Sequence, residues 1–280
     1  MSKISVNNLS YSYNGKDFVV DNVSFVVEDN DFLAIIGHTG SGKSTLIQTI
    51  NALIVPTKGK VIVDEFEIEN KLKISNIKEL RKKVGIVFQF PEYQLFQDTV
   101  EKDILFGPKN FNMDNVDTNM AIDALKKVGL DESFLEKSPF ELSGGEKRRV
   151  AIAGILAFDP DILIVDEPTA GLDPISASKV LDLFEELHNN GKTIILVTHQ
   201  MEYVLKYANR VIVLRDGELV FDGTPTNLYY NNNDIKYLRI NVPDIIEFVN
   251  KLAKKYPDIK NKNIKNIDDF VMYYKDVIAK

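Results

Sequence analysis

Two kinds of apolar pattern divide the chain. Before residue 32, and again near residue 60, apolar positions alternate with polar ones: Leu9, Tyr11 and Tyr13, then Val23, Phe25 and Val27, then Val61 and Val63. Period-two alternation predicts half-buried strands of an antiparallel sheet. From Phe32 the apolar runs become continuous: FLAII before Gly37, VGIVF before Gln89, ILIV before Asp166 and TIILV before Thr198. Runs that are apolar on both parities suit a parallel sheet covered on both faces. Helical spacing alternates with these runs. TLIQTINALI puts Leu46, Ile50 and Leu53 on one face, and VLDLFEEL does the same with Val180, Phe184 and Leu187. RVIVLRDGELVFDG reads as a hairpin with a type I′ turn at Asp216-Gly217. The expected fold class is therefore α/β, with a mixed or parallel core sheet beside an N-terminal antiparallel sheet.

The segment 91–158 lies between two core strands, is helical in pattern and is long enough to be an inserted helical subdomain. The Asn-rich YYNNND at 229–234 reads as a linker. Beyond it, Ile245, Ile246, Val249, Leu252 and Tyr256 predict one amphipathic helix. The division expected is a main domain over 1–228 and a small helical appendage over 229–280.

Composition narrows the function classes. The 280 residues are 44% hydrophobic and 27% charged, as in an ordinary globular protein. A net charge of -7 speaks against a nucleic-acid binder. With no cysteine there is no disulfide framework and no thiolate metal site, and His38, His188 and His199 do not make a ligand spacing. No apolar run approaches the roughly 20 residues of a membrane span. MSKISVNNLSYSY lacks the apolar core of a signal peptide. These features point to a cytosolic protein.

The candidate chemistry sits where the apolar runs end. GHTGSGKST at 37–45 fits G-x-x-x-x-G-K-[ST], a loop whose backbone N–H groups cradle phosphates. Gly37, His38, Thr39, Gly40, Ser41, Gly42, Lys43, Ser44 and Thr45 make up that cradle. Lys43 is placed for the β/γ oxygens and Ser44 for Mg²⁺, while the His38 side chain reads as incidental. Asp166 and Glu167 end the next run. Beside a phosphate loop they suit holding Mg²⁺ and polarising an attacking water, respectively; without one they would be a solvated strand end. Gln89 and His199 follow two further runs. Alone, Gln89 reads as a strand-end amide and His199 as a packed or surface ring; beside a nucleotide, His199 could reach a γ-phosphate. His188, near a helix C-terminus, reads as a dipole-compensating surface residue. A second anion site is encoded at ELSGGEKRRVAIAG. Ser143 and Glu146 form a capping box, and Gly144 and Gly145 open a helix whose bare N–H groups favour an anion.

GHTGSGKST, VFQ, LSGGE, ILIVDEP, GLD and VTH, in this order from Tyr13 to about Gly223, resemble the ATP-binding subunit of an ABC transporter. The resemblance implies a P-loop fold of ABC type that binds ATP with Mg²⁺ and hydrolyses it. Gln89 would be the Q-loop glutamine, joining Ser44 and Asp166 at the metal, and His199 the switch histidine. Tyr13 would stack on adenine, against the alternative of an edge-strand aromatic. Glu167, His199, Gln89 and Lys43 would carry catalysis. In that family two ATPases pair head to tail. Ser143, Gly144, Gly145, Glu146 and Asp173, the last in the D-loop, would therefore serve a partner's nucleotide. Glu146 departs from the commoner glutamine and puts a carboxylate near that phosphate.

FQFPEYQLFQDTVEKDILFGPKNF at 88–111 resembles the energy-coupling factor importers of vitamins and metal ions, and GHTGSGK with the amphipathic C-terminal appendage resembles the second of their two ATPase subunits. That resemblance implies a peripheral protein on the cytoplasmic face of the membrane. Its partners would be a second ATPase and a transmembrane scaffold docking near Phe90–Phe96, with a substrate-selecting membrane subunit reached indirectly. Phe90, Tyr93, Leu95 and Phe96 would be divided between docking and filling the helical subdomain. The alternatives are another ABC importer's ATPase or a soluble ABC ATPase without transport. A tandem ATPase or long coiled coil, expected of the soluble class, is not in the sequence. Glu167 speaks against a module that binds ATP without turnover.

Overall fold

Alternate residues of each central strand enter opposite hydrophobic layers, which is why the runs are apolar on both parities. In the computed structural model, residues 3–70, 76–230, 235–257, 259 and 264–275 are described. The chain opens with β1 (Ile4–Tyr11), β2 (Val20–Val27), β3 (Phe32–Ile36) and α1 (Lys43–Ile50). There follow β4 (Lys58–Val63), β5 (Phe66–Glu69), α2 (Ile77–Lys83) and β6 (Val84–Val87). The inserted segment carries α3 (Val100–Asn110), α4 (Thr118–Lys127) and α5 (Gly144–Leu156). The core resumes with β7 (Ile162–Asp166), α6 (Pro174–Asn189), β8 (Thr193–Val197) and α7 (Met201–Tyr207). A hairpin of β9 (Arg210–Arg215) and β10 (Glu218–Gly223) closes it. Among the described residues, short helices follow: α8 (Pro225–Tyr230), α9 (Ile235–Leu238), α10 (Asp244–Leu252) and α11 (Ile267–Tyr273).

The six-stranded sheet has the order β10-β9-β3-β8-β7-β6 and is parallel except for β10. Leu33, Ile35, Ile162, Ile164, Ile195 and Val197 pack on one side with Leu46, Ile47 and Ile50 of α1 and with the antiparallel sheet. Phe32, Ala34, Ile36, Leu163, Val165, Ile194 and Leu196 pack on the other, against α3, α5, α6 and α7. All these strand residues are fully buried, each worth about 1.5–3 kcal/mol where the side chain is large. The result is a rigid sheet whose C-terminal strand ends are fixed relative to one another.

The antiparallel sheet has the order β2-β1-β4-β5. Its pattern differs from the expected one in β1. A register shift between Val6 and Leu9 reverses the parity of β1, so Ile4, Val6 and Leu9 all reach the core. Tyr13 falls beyond the strand and is 65% exposed. Leu53 is likewise a correction: α1 ends at Ile50, and Leu53 lies past it, largely exposed. Val180, Phe184 and Leu187 do line the buried face of α6. The hairpin turn at Asp216-Gly217 has positive φ at both residues, 51° and 88°, as a type I′ turn needs.

The main core continues past residue 228 through Tyr229, Leu238 and Ile246. Val249, Ile259, Ile264 and Tyr273 form a separate small cluster. Of the expected linker, Tyr229 and Tyr230 end α8, while 231–234 lie outside the described residues. Tyr256 follows α10 rather than extending it.

Candidate functional site

Four neighbouring strands end at one edge of the sheet, the edge where open α/β folds bind ligands. β3 runs into the glycine-rich loop, β7 ends on Asp166, and β8 and β6 lead to His199 and Gln89. The loop's shape depends on glycine. A side chain at Gly37 (φ 150°) would run into the Leu214 carbonyl, and Gly42 (φ 99°) caps α1 in a left-handed conformation against Val19. Lys43, first residue of α1, turns its ammonium back to the Gly37 and His38 carbonyls at 2.8 and 3.0 Å. Burial lowers the Lys43 pKa, with the charges of Glu167 and Asp166 opposing that shift. The lysine is therefore anchored at the mouth of the loop, beside two carboxylates.

Ser44 donates to Asp166 Oδ2 at 3.3 Å. Asp166 is a buried carboxyl, and burial followed by the charge of Glu167 pushes its pKa up; the Ser44 hydrogen bond and the Lys43 charge only partly offset this. A hard cation here would relieve that cost. The donor set is all oxygen, a hydroxyl and a carboxylate, which fits Mg²⁺. Among the described residues no cluster of three or more His, Asp and Glu could hold a metal alone. Magnesium does not need one, since it takes one or two protein groups and completes its shell with phosphate and water.

Glu167 follows the strand with φ 48°, uncommon for a non-glycine residue, and its N–H is held by Val197 O at 2.9 Å. That backbone turn separates the two adjacent carboxylates. Oε1 lies 2.8 Å from His199 Nδ1, whereas Oε2 is buried without a hydrogen-bond partner. The His199 ring itself is mostly exposed, with a side-chain exposure of 67%. Gln89 is exposed and makes no hydrogen bond with any described residue. The Tyr13 hydroxyl is 3.3 Å from Thr45 Oγ1, so the tyrosine overhangs the start of α1, and it meets Tyr11 edge to face at 4.9 Å. The His38 ring is not idle: Nε2 lies 3.1 Å from Asp216 in the β9–β10 turn, and Asp216 is also 3.7 Å from Arg239. This contact is a difference from the sequence reading, which has nothing at 38 to mark a partner 178 residues away. His188 is half-buried against Phe32, with ring centroids 5.5 Å apart, more packed than a surface residue would be.

The capped helix that the sequence marks as a second candidate anion site lies on the inserted helical segment. Ser143 caps α5 and accepts from Glu146 N, while the Glu146 carboxylate accepts from the Ser143 N–H at 2.8 Å and its hydroxyl at 2.6 Å. These bonds hold the Glu146 carboxyl below the usual carboxylate range. Gly144 and Gly145 have open space where a side chain would stand, so the first turn is uncovered. Asp173 caps α6 through Ile175 N and Ser176 N, both at 3.0 Å. No hydrogen bond among the described residues ties Ser143 or Asp173 to the phosphate loop.

The segment after Gln89 is held by a pair that the sequence does not announce. Glu92, in the 3₁₀ turn Pro91–Gln94, faces Arg148 of α5 through two hydrogen bonds of 2.9 and 3.0 Å. Around it Phe90, Tyr93 and Phe96 are exposed, by 38%, 84% and 56%, while Leu95 packs inward. Among the described residues no helix is long and apolar enough to cross a membrane.

The ABC transporter family profile matches residues 20–170. The chain is 50% identical over 235 residues to the energy-coupling factor transporter ATP-binding protein EcfA2 of Enterococcus faecalis, covering 83% of this chain and 81% of that one. The protein of the same name from Clostridioides difficile is 46% identical over 264 residues, 91% of both chains. Among solved structures, cbiO1 from Clostridium perfringens, part of the ABC transporter complex cbiONQ, superposes with a TM-score of 0.73. It is 34% identical, with 88% of this chain and 98% of that one covered. The dimeric, post-hydrolysis state of the ATP-binding cassette MJ0796 bound to ADP and Pi gives a TM-score of 0.70 at 31% identity, covering 79% and 98%.

Proposed function

The chain belongs to the ABC transporter family, as an ATP-binding subunit of the energy-coupling factor type, and from that membership we propose how its residues divide the work. It binds and hydrolyses ATP to energise an importer, working with a second ATPase and with membrane subunits. The Ser44–Asp166 pair beside the Glu167–His199 contact is the observation that carries the assignment of roles.

Gly37 to Thr45 wrap the phosphates with backbone N–H groups, and Lys43 leaves the Gly37 and His38 carbonyls for the β/γ oxygens. Ser44 and Asp166, with Gln89, would hold Mg²⁺, which would supply neutralisation of the charge developing on the transferred phosphoryl group. Glu167 takes the proton of the attacking water on Oε2, the oxygen that has no partner. His199 meets the other oxygen through Nδ1 and so fixes the orientation of the carboxylate beside the γ-phosphate. Tyr13 stacks on the adenine. Ser143, Gly144, Gly145 and Glu146, with Asp173, face the nucleotide held by the partner ATPase. No hydrogen bond among the described residues joins Ser143 or Asp173 to the phosphate loop of their own chain, and MJ0796, a relative in fold and sequence, forms a dimer. The protein then lies against the cytoplasmic face of the membrane, with the exposed aromatics of the 90–96 segment receiving a helix of the scaffold. The imported compound, of vitamin or metal-ion class, is chosen by a separate membrane subunit.

The test is to purify a tagged copy with its untagged partners from membranes. Co-elution of a second ATPase and membrane proteins, with vanadate-sensitive ATP turnover, is the expected result. Recovery of the chain alone, active without partners, would contradict it.

A further inference from the structure

Arg148 is one of two charged residues buried among the described residues, with 5% of its side chain exposed, and the arms of its guanidinium face different partners. Nε and NH2 donate to the two oxygens of Glu92, at 3.0 and 2.9 Å. NH1 donates to Ala170 O at 2.8 Å and Pro168 O at 3.4 Å. The Phe90 ring centroid lies 5.7 Å from the guanidinium carbon, and the ring stands where a side chain at Gly171 would meet it. One side chain thus joins three segments: the turn after Gln89, the N-terminal half of α5, and residues 168–171 directly after Glu167.

A buried charge needs such partners, and the turn it holds is one that departs from regular backbone. Glu167 and Phe90 both have positive φ, 48° and 56°. Such conformations persist when the surroundings over-determine them. Arg148 supplies that constraint at both places at once. Lysine could not, because an ammonium lacks the planar fork that serves a carboxylate and two carbonyls in different directions.

We infer that Arg148 is a positioning residue for hydrolysis, tying the exposed 90–96 segment to the turn that aims Glu167. Movement of Glu92 is then felt at Pro168 and Ala170, and through them at the carboxylate. This rests on the reading of Glu167 as the catalytic carboxylate and of 90–96 as the membrane-facing segment. The helix α5, anchored by the same guanidinium, moves with them.

The experiment uses the assembled transporter carrying Arg148→Met, Arg148→Lys or Glu92→Gln, with Glu167→Gln in parallel. ATP affinity of each isolated chain and its melting temperature are measured beside kcat and KM of the complex. Arg148→Met should lower kcat by about tenfold or more, the scale of a misplaced catalytic group, while KM and isolated ATP affinity stay within about twofold. Arg148→Lys, which keeps the charge but not the fork, should not restore kcat. Glu92→Gln keeps an acceptor and the side-chain volume, leaves the arginine in place, and should lower kcat in the same direction. Turnover of a folded Arg148→Met or Glu92→Gln complex equal to the unmodified one would overturn the inference. So would a loss of isolated ATP affinity as large as the loss of kcat, which marks a general structural role. Full turnover in Glu167→Gln would overturn the underlying reading of the site instead, and is distinguishable from a null result at Arg148.

Discussion

His199 Nδ1 and Glu167 Oε1 lie 2.8 Å apart, joining the ends of the neighbouring strands β8 and β7. The contact orients one carboxylate oxygen and leaves the other, Oε2, buried and unpartnered. Glu167→Gln should therefore retain ATP binding and lose turnover by roughly 10²-fold or more, the scale of one well-placed catalytic group. His199→Ala should lower kcat as well. Because both act on one step, the double variant should be little slower than the slower single one. Steady-state turnover of the four proteins in the assembled complex checks this; fully additive losses would separate the two roles.

Asp166 gives a prediction of opposite sign for stability and function. Its pKa is raised in the folded chain, by burial first and by Glu167 second. A carboxyl whose folded pKa exceeds its unfolded one is destabilising where both states are ionised. That cost is present above the raised pKa and fades as the pH falls toward the unfolded value. Asp166→Asn should accordingly raise the melting temperature of the nucleotide-free chain at neutral pH, with a difference that shrinks in acid. The same change should weaken Mg²⁺-dependent ATP binding. Thermal melts over pH 4 to 8, run beside nucleotide titrations with and without Mg²⁺, measure both; a lower neutral-pH melting temperature would contradict it.

The exposed aromatics after Gln89 predict a loss confined to assembly. Tyr93 is 84% exposed, so Tyr93→Asp should change stability by no more than about 0.5 kcal/mol. ATP affinity of the isolated chain should not move. Recovery of the membrane scaffold by the tagged variant should fall, and combining Tyr93→Asp with Phe96→Asp should deepen the fall. Undiminished recovery with both changes would remove docking from this segment.

What the sequence made legible is what repeats or what is local. Continuous apolar runs mark β3, β6, β7 and β8 because each residue pair must cover two faces, and the residues that end the runs are brought to one edge by the sheet itself. The capping box at Ser143 and Glu146 is legible because it spans a single helical turn. The Arg148–Glu92 pair is not, since the partners are 56 residues apart and a buried arginine looks like any helix-surface arginine in the chain. The His38–Asp216 contact is hidden for the same reason. The parity change in β1 falls at Asn7-Asn8, where Asn8 has φ 46°, a conformation that asparagine tolerates but that its presence alone does not announce, and Tyr13 fits the alternation of a strand that ends before it. Leu53 fits the helical period of α1, but the helix stops first, with Ala52 in a left-handed conformation.

The central claim is that one chain carries two half-sites, a phosphate loop for its own nucleotide and a capped helix for its partner's. The measurement that tests it most directly is ATP affinity of the isolated Lys43→Ala and Ser143→Arg variants, set beside turnover and ATP-driven pairing with the partner ATPase. Lys43→Ala should abolish tight ATP binding by the lone chain. Ser143→Arg removes a cap worth on the order of 1 kcal/mol, too little to unfold a domain of about 5–15 kcal/mol. It should leave the lone chain's affinity intact while blocking pairing and the partner's hydrolysis. If the folded Ser143→Arg chain lost ATP affinity as severely as Lys43→Ala does, the second site would act on its own chain's nucleotide, and the division between two half-sites would be wrong.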